Sequence, residues 1–222
     1  MLVRKIFKIV RRKLTQEKYK KISANEHNSL ENVDNLNKDK EYWVNVRLSD
    51  KKFIENIFDF ITHSAQIKDG DSIGDVGCGT GVLVSKFKDA FPNSTIKGYD
   101  FSGNKIQQCN KYYNIGENVF YIHNIYSELP QRFDILVATE VLEHLEYPEV
   151  ALDNLLSGLN YKGRLFITVP NGREDTFSGH IHFWSPESWR LFIKKNIKNP
   201  FDVEVGNVFN NNYALITRVD VE

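Results

Sequence analysis

Two hydrophobic rhythms alternate along this chain. Short apolar runs of strand length lie at 71–76, 95–99, 119–122, 133–138 and 163–170. Between them, apolar residues recur at helical steps. Val82, Leu83, Phe87 and Phe91 place a helix over 82–90, which Phe91-Pro92-Asn93 stops. Asp50 is suited to cap a helix reaching Ser64, with Phe53, Ile54, Ile57, Phe58 and Ile61 on one face. Ser102 opens a helix to about Tyr113, and Pro148 opens one through Leu159 that buries Leu152, Leu155 and Leu156. Ser185-Pro186-Glu187-Ser188 is a strong start for a helix to about Lys195. Residues 201–209 and 213–219 read as two last strands joined at Asn210-Asn211-Asn212. Apolar strands separated by helices predict an α/β fold with a parallel sheet covered on both faces.

The upstream part follows neither rhythm cleanly. Residues 1–21 read as a basic amphipathic helix, with Leu2, Ile6, Ile9, Val10 and Leu14 on the apolar face. Residues 23–40, rich in Asn, Asp, Glu and Ser, predict a loop or short irregular turns. Tyr42 and Trp43 beyond them either line a pocket or anchor the linker, the anchor being favoured.

Charge changes the picture in one respect. Basic and acidic residues number 29 each, yet residues 1–21 hold nine of the basic ones and only Glu17 of the acidic. The remainder therefore has 20 basic and 28 acidic side chains, a net charge of −8. A body of that sign offers no groove for nucleic acid, and none is expected as a partner. The basic helix is open to several uses: docking on its own domain, peripheral contact with a membrane surface, a subunit contact such as a homodimer, or a lid over the substrate. Two cysteines, Cys78 and Cys109, build no disulfide framework, and a cytoplasmic location is expected, with association at a membrane surface left open.

The densest chemical signal is the stretch 72–81, SIGDVGCGTG. A strand, a turn crowded with glycine and a helix let a ligand approach the backbone closely, and free N–H groups at a helix start favour a carboxylate. Asp75-Val76-Gly77-Cys78-Gly79-Thr80-Gly81 resembles the first motif of the class I S-adenosylmethionine-dependent methyltransferases. Tyr99-Asp100 resembles the acidic end of that family's second strand, Phe133–Ala138 its fourth, and Gly163–Asn171 its fifth. Together these cover about residues 70–171. The resemblance implies a Rossmann-like, seven-stranded, mostly parallel sheet with one antiparallel strand near the C-terminus. It divides the chain into an N-terminal helix and linker, 1–49, able to cover the active site, and a methyltransferase domain, 50–222.

For the cofactor, S-adenosylmethionine, the resemblance implies that Asp75, Gly77, Cys78, Gly79 and Gly81 hold the amino-acid end. Its carboxylate would meet backbone N–H groups near the helix start. Asp100 would accept from both ribose hydroxyls. Phe101 and Ser102 follow where the family contacts sugar or adenine, with packing and capping as alternatives. Asn124 stands where an acidic residue usually meets the adenine amine, next to Ile125. Cys78 is expected to pack rather than react.

Beyond the fourth strand, Thr139, Glu140, Val141, Glu143 and His144 face the methyl group in this fold. His144 is the natural base, since imidazole titrates near neutrality, with Glu140 as a second catalytic candidate. Glu140, Glu143 and His144 with His182 also make a candidate divalent-cation set, magnesium or another. The pattern Glu-x-x-Glu-His resembles metal-assisted O-methyltransferases of ubiquinone-type catechols and of small-RNA 2′-hydroxyls. It is also common in metal-free small-molecule enzymes of the superfamily. His180 and Arg173 are candidates for substrate contact. The expected function is methylation of a hydroxyl on a small molecule: a sugar, a phenol or quinone precursor, or another metabolite. N- or C-methylation, and metal-dependent RNA 2′-O-methylation, are the alternatives.

Overall fold

The computed structural model describes residues 28–37, 40–197 and 200–219. The basic helix expected over 1–21 lies outside the described residues. In chain order the elements are α1 (Leu30–Asn37), α2 (Lys40–Ser64), β1 (Ser72–Val76), α3 (Val82–Ala90), β2 (Thr95–Asp100), α4 (Gly103–Tyr112) and β3 (Phe120–Ile122). Then come β4 (Phe133–Thr139), a single 3-10 turn (Leu142–His144), α5 (Pro148–Ser157), β5 (Leu159–Pro170), α6 (Pro186–Asn196), β6 (Phe201–Val208) and β7 (Asn211–Arg218).

The strands make one sheet in the order β3-β2-β1-β4-β5-β7-β6. All pairings from β3 to β5 are parallel, and β7 runs antiparallel to both β5 and β6. Side chains of a strand alternate between faces, so a central strand feeds two cores at once. On β4, Ile135 and Val137 join the helix α2 residues Ile54, Ile57 and Ile61 and the α3 residue Phe87. Leu136 and Ala138 face the other way, toward Leu152 and Leu155 of α5 and Trp189 and Ile193 of α6. The Trp189 indole N–H donates to Tyr213 O at 3.1 Å, so this large buried ring leaves no orphaned donor.

Three expectations about local structure need correction. Residues 30–37 form α1 rather than a loop; the polar segment is held helical by packing on α2 and α4. Helix α2 begins at Lys40, not at a cap on Asp50, and Asp50 sits inside it. The cause is Trp43, only 3% exposed and 5.1 Å from the Tyr112 ring, with the Arg47 guanidinium 4.2 Å above that same ring. These contacts draw the helix start ten residues upstream. Helix α5 stops at Ser157, and β5 starts at Leu159 rather than after Gly163, because Leu159 already pairs with Phe133.

Candidate active site

The chain builds β1, then β2 and β3 on one side, and returns to β4 and β5 on the other. A crevice must open where the strand order reverses, at the C-terminal ends of β1 and β4. A cavity of about 1000 Å³ lies there. Its floor includes Asp75, Gly77, Cys78, Gly79, Asp100 and Phe101, with Asn124, Ile125 and Thr139 farther round. Glu140, His144 and His180 line one end, and Asn28, Ser29 and Val33 from the start of α1, with Tyr42, complete the wall.

At one end, β1 delivers Asp75 into a buried position, and its Oδ1 has no hydrogen-bond partner among the described residues. Burial first, then the charges of Asp100 and Asp50, push its carboxyl up to about 8. Gly77, Gly79 and Gly81 take φ of +80°, +53° and +76°, the left-handed region that side chains resist. The N–H groups of Gly77 and Cys78 both donate to Tyr99 O, at 2.7 and 2.9 Å. Gly79 N–H donates to Asp100 Oδ2 at 3.0 Å, and Gly81 N–H to Cys78 O at 2.9 Å. The first three amides strap the turn to the end of β2, and Gly81 N–H closes the turn on itself. A Cβ on Gly77 would overlap the Val141 side chain, so the turn sits directly against the segment after β4.

Asp100 is buried, and its other oxygen accepts from Ser102 N–H at 2.9 Å. Lys105 lies 3.7 Å from Asp100 Oδ2; burial opposes its charge, but the carboxylates of Asp100 and Asp50 prevail and raise its pKa. Asp50 reaches from α2 to take the Thr80 hydroxyl. Burial raises its pKa, and the Thr80 bond opposes that rise. Burial, then the charge of Asp100, drives Cys78 well above the usual thiol range, so it is a protonated packing group. Ser102 caps α4 by accepting from Lys105 N–H at 3.2 Å, and it does not line the cavity. Gly81 also stays off the wall, packed under Phe120 and Tyr113. The Asn124 amide oxygen is occupied by Tyr126 N–H at 3.0 Å.

At the other end, Glu140 follows β4 with φ +55°, an uncommon conformation for a residue with a Cβ. Its Oε1 accepts from Thr168 Oγ1 at 2.9 Å and Asn211 Nδ2 at 2.7 Å. Burial pushes its carboxyl up to about 7, against those two hydrogen bonds. The 3-10 turn then places Glu143 at 0% exposure, with neither oxygen hydrogen-bonded among the described residues. Burial, and the nearby Glu140 charge, raise its pKa well above the carboxylate range.

Two imidazoles face this carboxylate. His144 Nε2 lies 3.9 Å and His180 Nε2 3.8 Å from Glu143 Oε1. Each ring has its other nitrogen on an acceptor. His180 Nδ1 meets Asp175 Oδ2 at 2.5 Å, and His144 Nδ1 meets Asn28 Oδ1 at 3.1 Å and Gly179 O at 3.3 Å. A nitrogen flanked by acceptors carries the proton, which leaves Nε2 of a neutral ring as a lone pair. Two nitrogen lone pairs and a carboxylate then converge, with ligand atoms all within 4.8 Å of one another.

The expected set of Glu140, Glu143, His144 and His182 is therefore only half assembled. Glu140 is not in the triad, since Thr168 and Asn211 hold its carboxylate. His182 Nε2 bonds to Leu145 O at 2.9 Å, and its ring stacks on Trp184 at 4.7 Å, so in this structure it is held away from the triad. His180 takes that place. Sequence reasoning also missed Asp50, Lys105, Asp175 and Asn28. Asp50 left a legible trace: it falls on the stripe Trp43, Asp50, Ile54, Ile57 and Ile61, an acidic residue on an apolar face. Lys105 left one too, at i+5 from Asp100 in the first turn of α4.

Comparison with known proteins gives the family. Residues 49–202 match the family model described as a methyltransferase domain. The chain is 32% identical over 103 residues to the mitochondrial ubiquinone biosynthesis O-methyltransferase of Candida albicans, which covers 44% of this chain and 32% of that one. It is 21% identical over 170 residues to the malonyl-[acyl-carrier protein] O-methyltransferase of Bacillus anthracis, covering 71% of this chain and 63% of that one. The chain thus spans 32% of the length of the first relative and 63% of the second. The structure of the plantazolicin methyltransferase BpumL superposes with a TM-score of 0.63 at 14% identity, covering 82% of this chain and 93% of that one. That likeness is one of fold. The matched segment runs from inside α2 to the start of β6 and so carries the strand-order reversal, the glycine turn and both ends of the cavity: the chain belongs to the methyltransferase domain family, among the class I S-adenosylmethionine-dependent methyltransferases.

Proposed function

We propose that this chain transfers the methyl group of S-adenosylmethionine to a hydroxyl of a small molecule, with a divalent cation held by Glu143, His144 and His180. The convergence of two imidazole nitrogens on a buried carboxyl that takes no hydrogen bond among the described residues carries this reading. A cation there would favour the ionised carboxylate and complete a mixed nitrogen and oxygen ligand set. The carboxylate on the far side of His180 is the partner that metal-ligating histidines usually have.

The cofactor fits the other end. The unpartnered Asp75 Oδ1 suits an ammonium, and Asp100 keeps lone pairs for two hydroxyl donors. S-adenosylmethionine supplies a methyl carbon on a positive sulfur, and a cation lowers the pKa of a hydroxyl brought to it. The residues of this chain do the rest. The turn at 77–81 and the segment 139–144 align donor and acceptor. Helix α1 and Tyr42 shield the cavity from water. As the carbon–sulfur bond breaks and the carbon–oxygen bond forms, the hydroxyl proton has to leave. Glu140, whose Oε2 takes no hydrogen bond among the described residues, is suited to receive it near neutral pH. Vicinal diols and catechols, which chelate, are the favoured acceptors within the class.

The test is methyl transfer from S-adenosylmethionine to a panel of catechols, sugars and amines, before and after chelator treatment. Transfer to hydroxyls that vanishes with chelator and returns with magnesium or manganese supports the reading. Undiminished transfer after complete removal of metal overturns the cation, and transfer only to nitrogen overturns the acceptor class.

A further inference from the structure

We infer that Asn28 is a positioning residue: its side-chain amide latches the N-terminal cover of the cavity to His144 and sets that imidazole in the tautomer that can bind a cation. This deepens, and rests on, the cation reading above.

The geometry leaves the amide no choice of orientation. Asn28 Nδ2 donates to Gly179 O at 2.8 Å, so Oδ1 is the atom that faces His144 Nδ1 at 3.1 Å. An amide oxygen only accepts, so His144 must donate from Nδ1 and keep its lone pair on Nε2, toward Glu143 Oε1. Gly179 O, at 3.3 Å, is a second acceptor near the same nitrogen. The two histidines thus receive the same instruction from different chemistry. A carboxylate, Asp175, orients His180 from within its own loop. A neutral amide orients His144 from 116 residues away in sequence.

That distance gives Asn28 a second role. It lies two residues before α1, and Asn28, Ser29 and Val33 line the cavity. One side chain therefore joins three things: the cover, the loop at Gly179 and a cation-ligating ring. A cation on Nε2 polarises the Nδ1–H bond and strengthens it toward Asn28. By linkage, closure of the cover and cation binding must favour each other. The cover is fully docked only over a site ready to bind.

The experiment uses the full chain with Asn28→Ala and Asn28→Asp. Long-range proton–nitrogen NMR of the histidine rings in metal-free protein reads the tautomer. The expected result is an Nδ1–H His144 in the wild type and in Asn28→Asp, whose carboxylate still accepts, and a mixture of tautomers in Asn28→Ala. Manganese titration by electron paramagnetic resonance should show affinity about ten- to a hundredfold weaker in Asn28→Ala. Asn28→Asp should restore it to within about threefold, as a charged acceptor does for other metal-bound imidazoles. Saturating manganese should slow amide exchange across residues 28–37 in the wild type and not in Asn28→Ala. Equal tautomers and equal manganese affinity in wild type and Asn28→Ala overturn the latch while leaving the cation reading in place. A wild type that binds no manganese, magnesium or zinc overturns the cation reading and the latch's link to it, and the tautomer spectra then decide the positioning role separately.

Discussion

Each end of the cavity has a buried carboxyl with an oxygen that takes no hydrogen bond among the described residues, Asp75 in the wall and Glu143 just behind it, and the chain reaches the two by opposite routes. Asp75 lies in a stretch where 26 positions, from Asp75 to Asp100, supply the acid, the glycine turn and a second buried carboxylate. Its shape comes from positive-φ glycines and backbone hydrogen bonds to one neighbouring strand. Glu143 depends on segments around residues 28, 140–144, 175–182 and 211, which only the tertiary fold brings together. The first end is a local device that any chain with those residues can build. The second is an assembly, and it tolerates fewer independent changes. Substitutions at the two ends should therefore separate cleanly in what they damage.

The largest expected effect is at Glu143. Glu143→Gln should lower manganese affinity roughly a hundredfold or more, since it removes the charged ligand, and abolish cation-dependent turnover. S-adenosylhomocysteine affinity, measured by calorimetry, should stay within about twofold if the two ends are independent by the usual distance criterion. A parallel loss of both would dissolve the contrast.

Asp100→Ala is the reciprocal change. Two hydrogen bonds to a charged group, at about 1.5–3 kcal/mol each, imply at least a hundredfold loss of S-adenosylhomocysteine affinity. Manganese affinity should be unchanged. Any shift in it would show that the strap from Gly79 to Asp100 reaches the far end.

Asp75 sharpens the contrast through pH. Its folded pKa of about 8 lies above the ordinary 3.8, so the folded cofactor-free protein keeps a proton that the unfolded chain releases. Stability must then fall as pH rises from 3.8 toward about 8, and level off above it. Asp75→Asn should remove this slope, raising the melting temperature at pH 8 and leaving it unchanged near pH 4. A cationic ligand group favours the ionised carboxylate, so cofactor affinity should rise with pH over the same window. Asp75→Asn should flatten that too.

The smallest effect is expected at His182. Replacing it with Phe keeps a ring on Trp184 and removes the bond to Leu145 O, a cost of about 1 kcal/mol in stability. Manganese affinity should change less than about twofold by comparison with the ten- to hundredfold expected on disturbing a ligand's support. A large loss would return His182 to the ligand set in place of His180.

The same contrast explains what could be read from the chain in advance. The strands and helices of the sheet were legible because hydrophobic period and turn residues are local signals, whereas the antiparallel β7 followed from the family resemblance. The glycine turn after β1 was legible because its residues are contiguous. The choice between His180 and His182 was not. Both flank Ile181, and what separates them is which one meets Asp175 and which one stacks on Trp184. Helix α2 was read ten residues short because Trp43 looks like any linker aromatic until Tyr112, on another helix, covers it. Asn28 gives no sign of its own, since one Asn among many in a polar stretch is a loop residue until a histidine 116 positions away is placed beside it.

Gly77 meets Val141 with no room for a methyl between them. In the function proposed above, one of these residues belongs to the turn that would seat the donor, and the other to the segment that would seat the acceptor. On that reading the missing side chain is a spacer gauge, which would set how far apart the two reacting partners are held. In-line transfer is steep in that distance, and a misfit of about 1 Å costs on the order of a hundredfold in rate. Adding a methyl at 77 would widen the machine rather than merely crowd it, and loss of speed with both ligands still bound is how that widening would register.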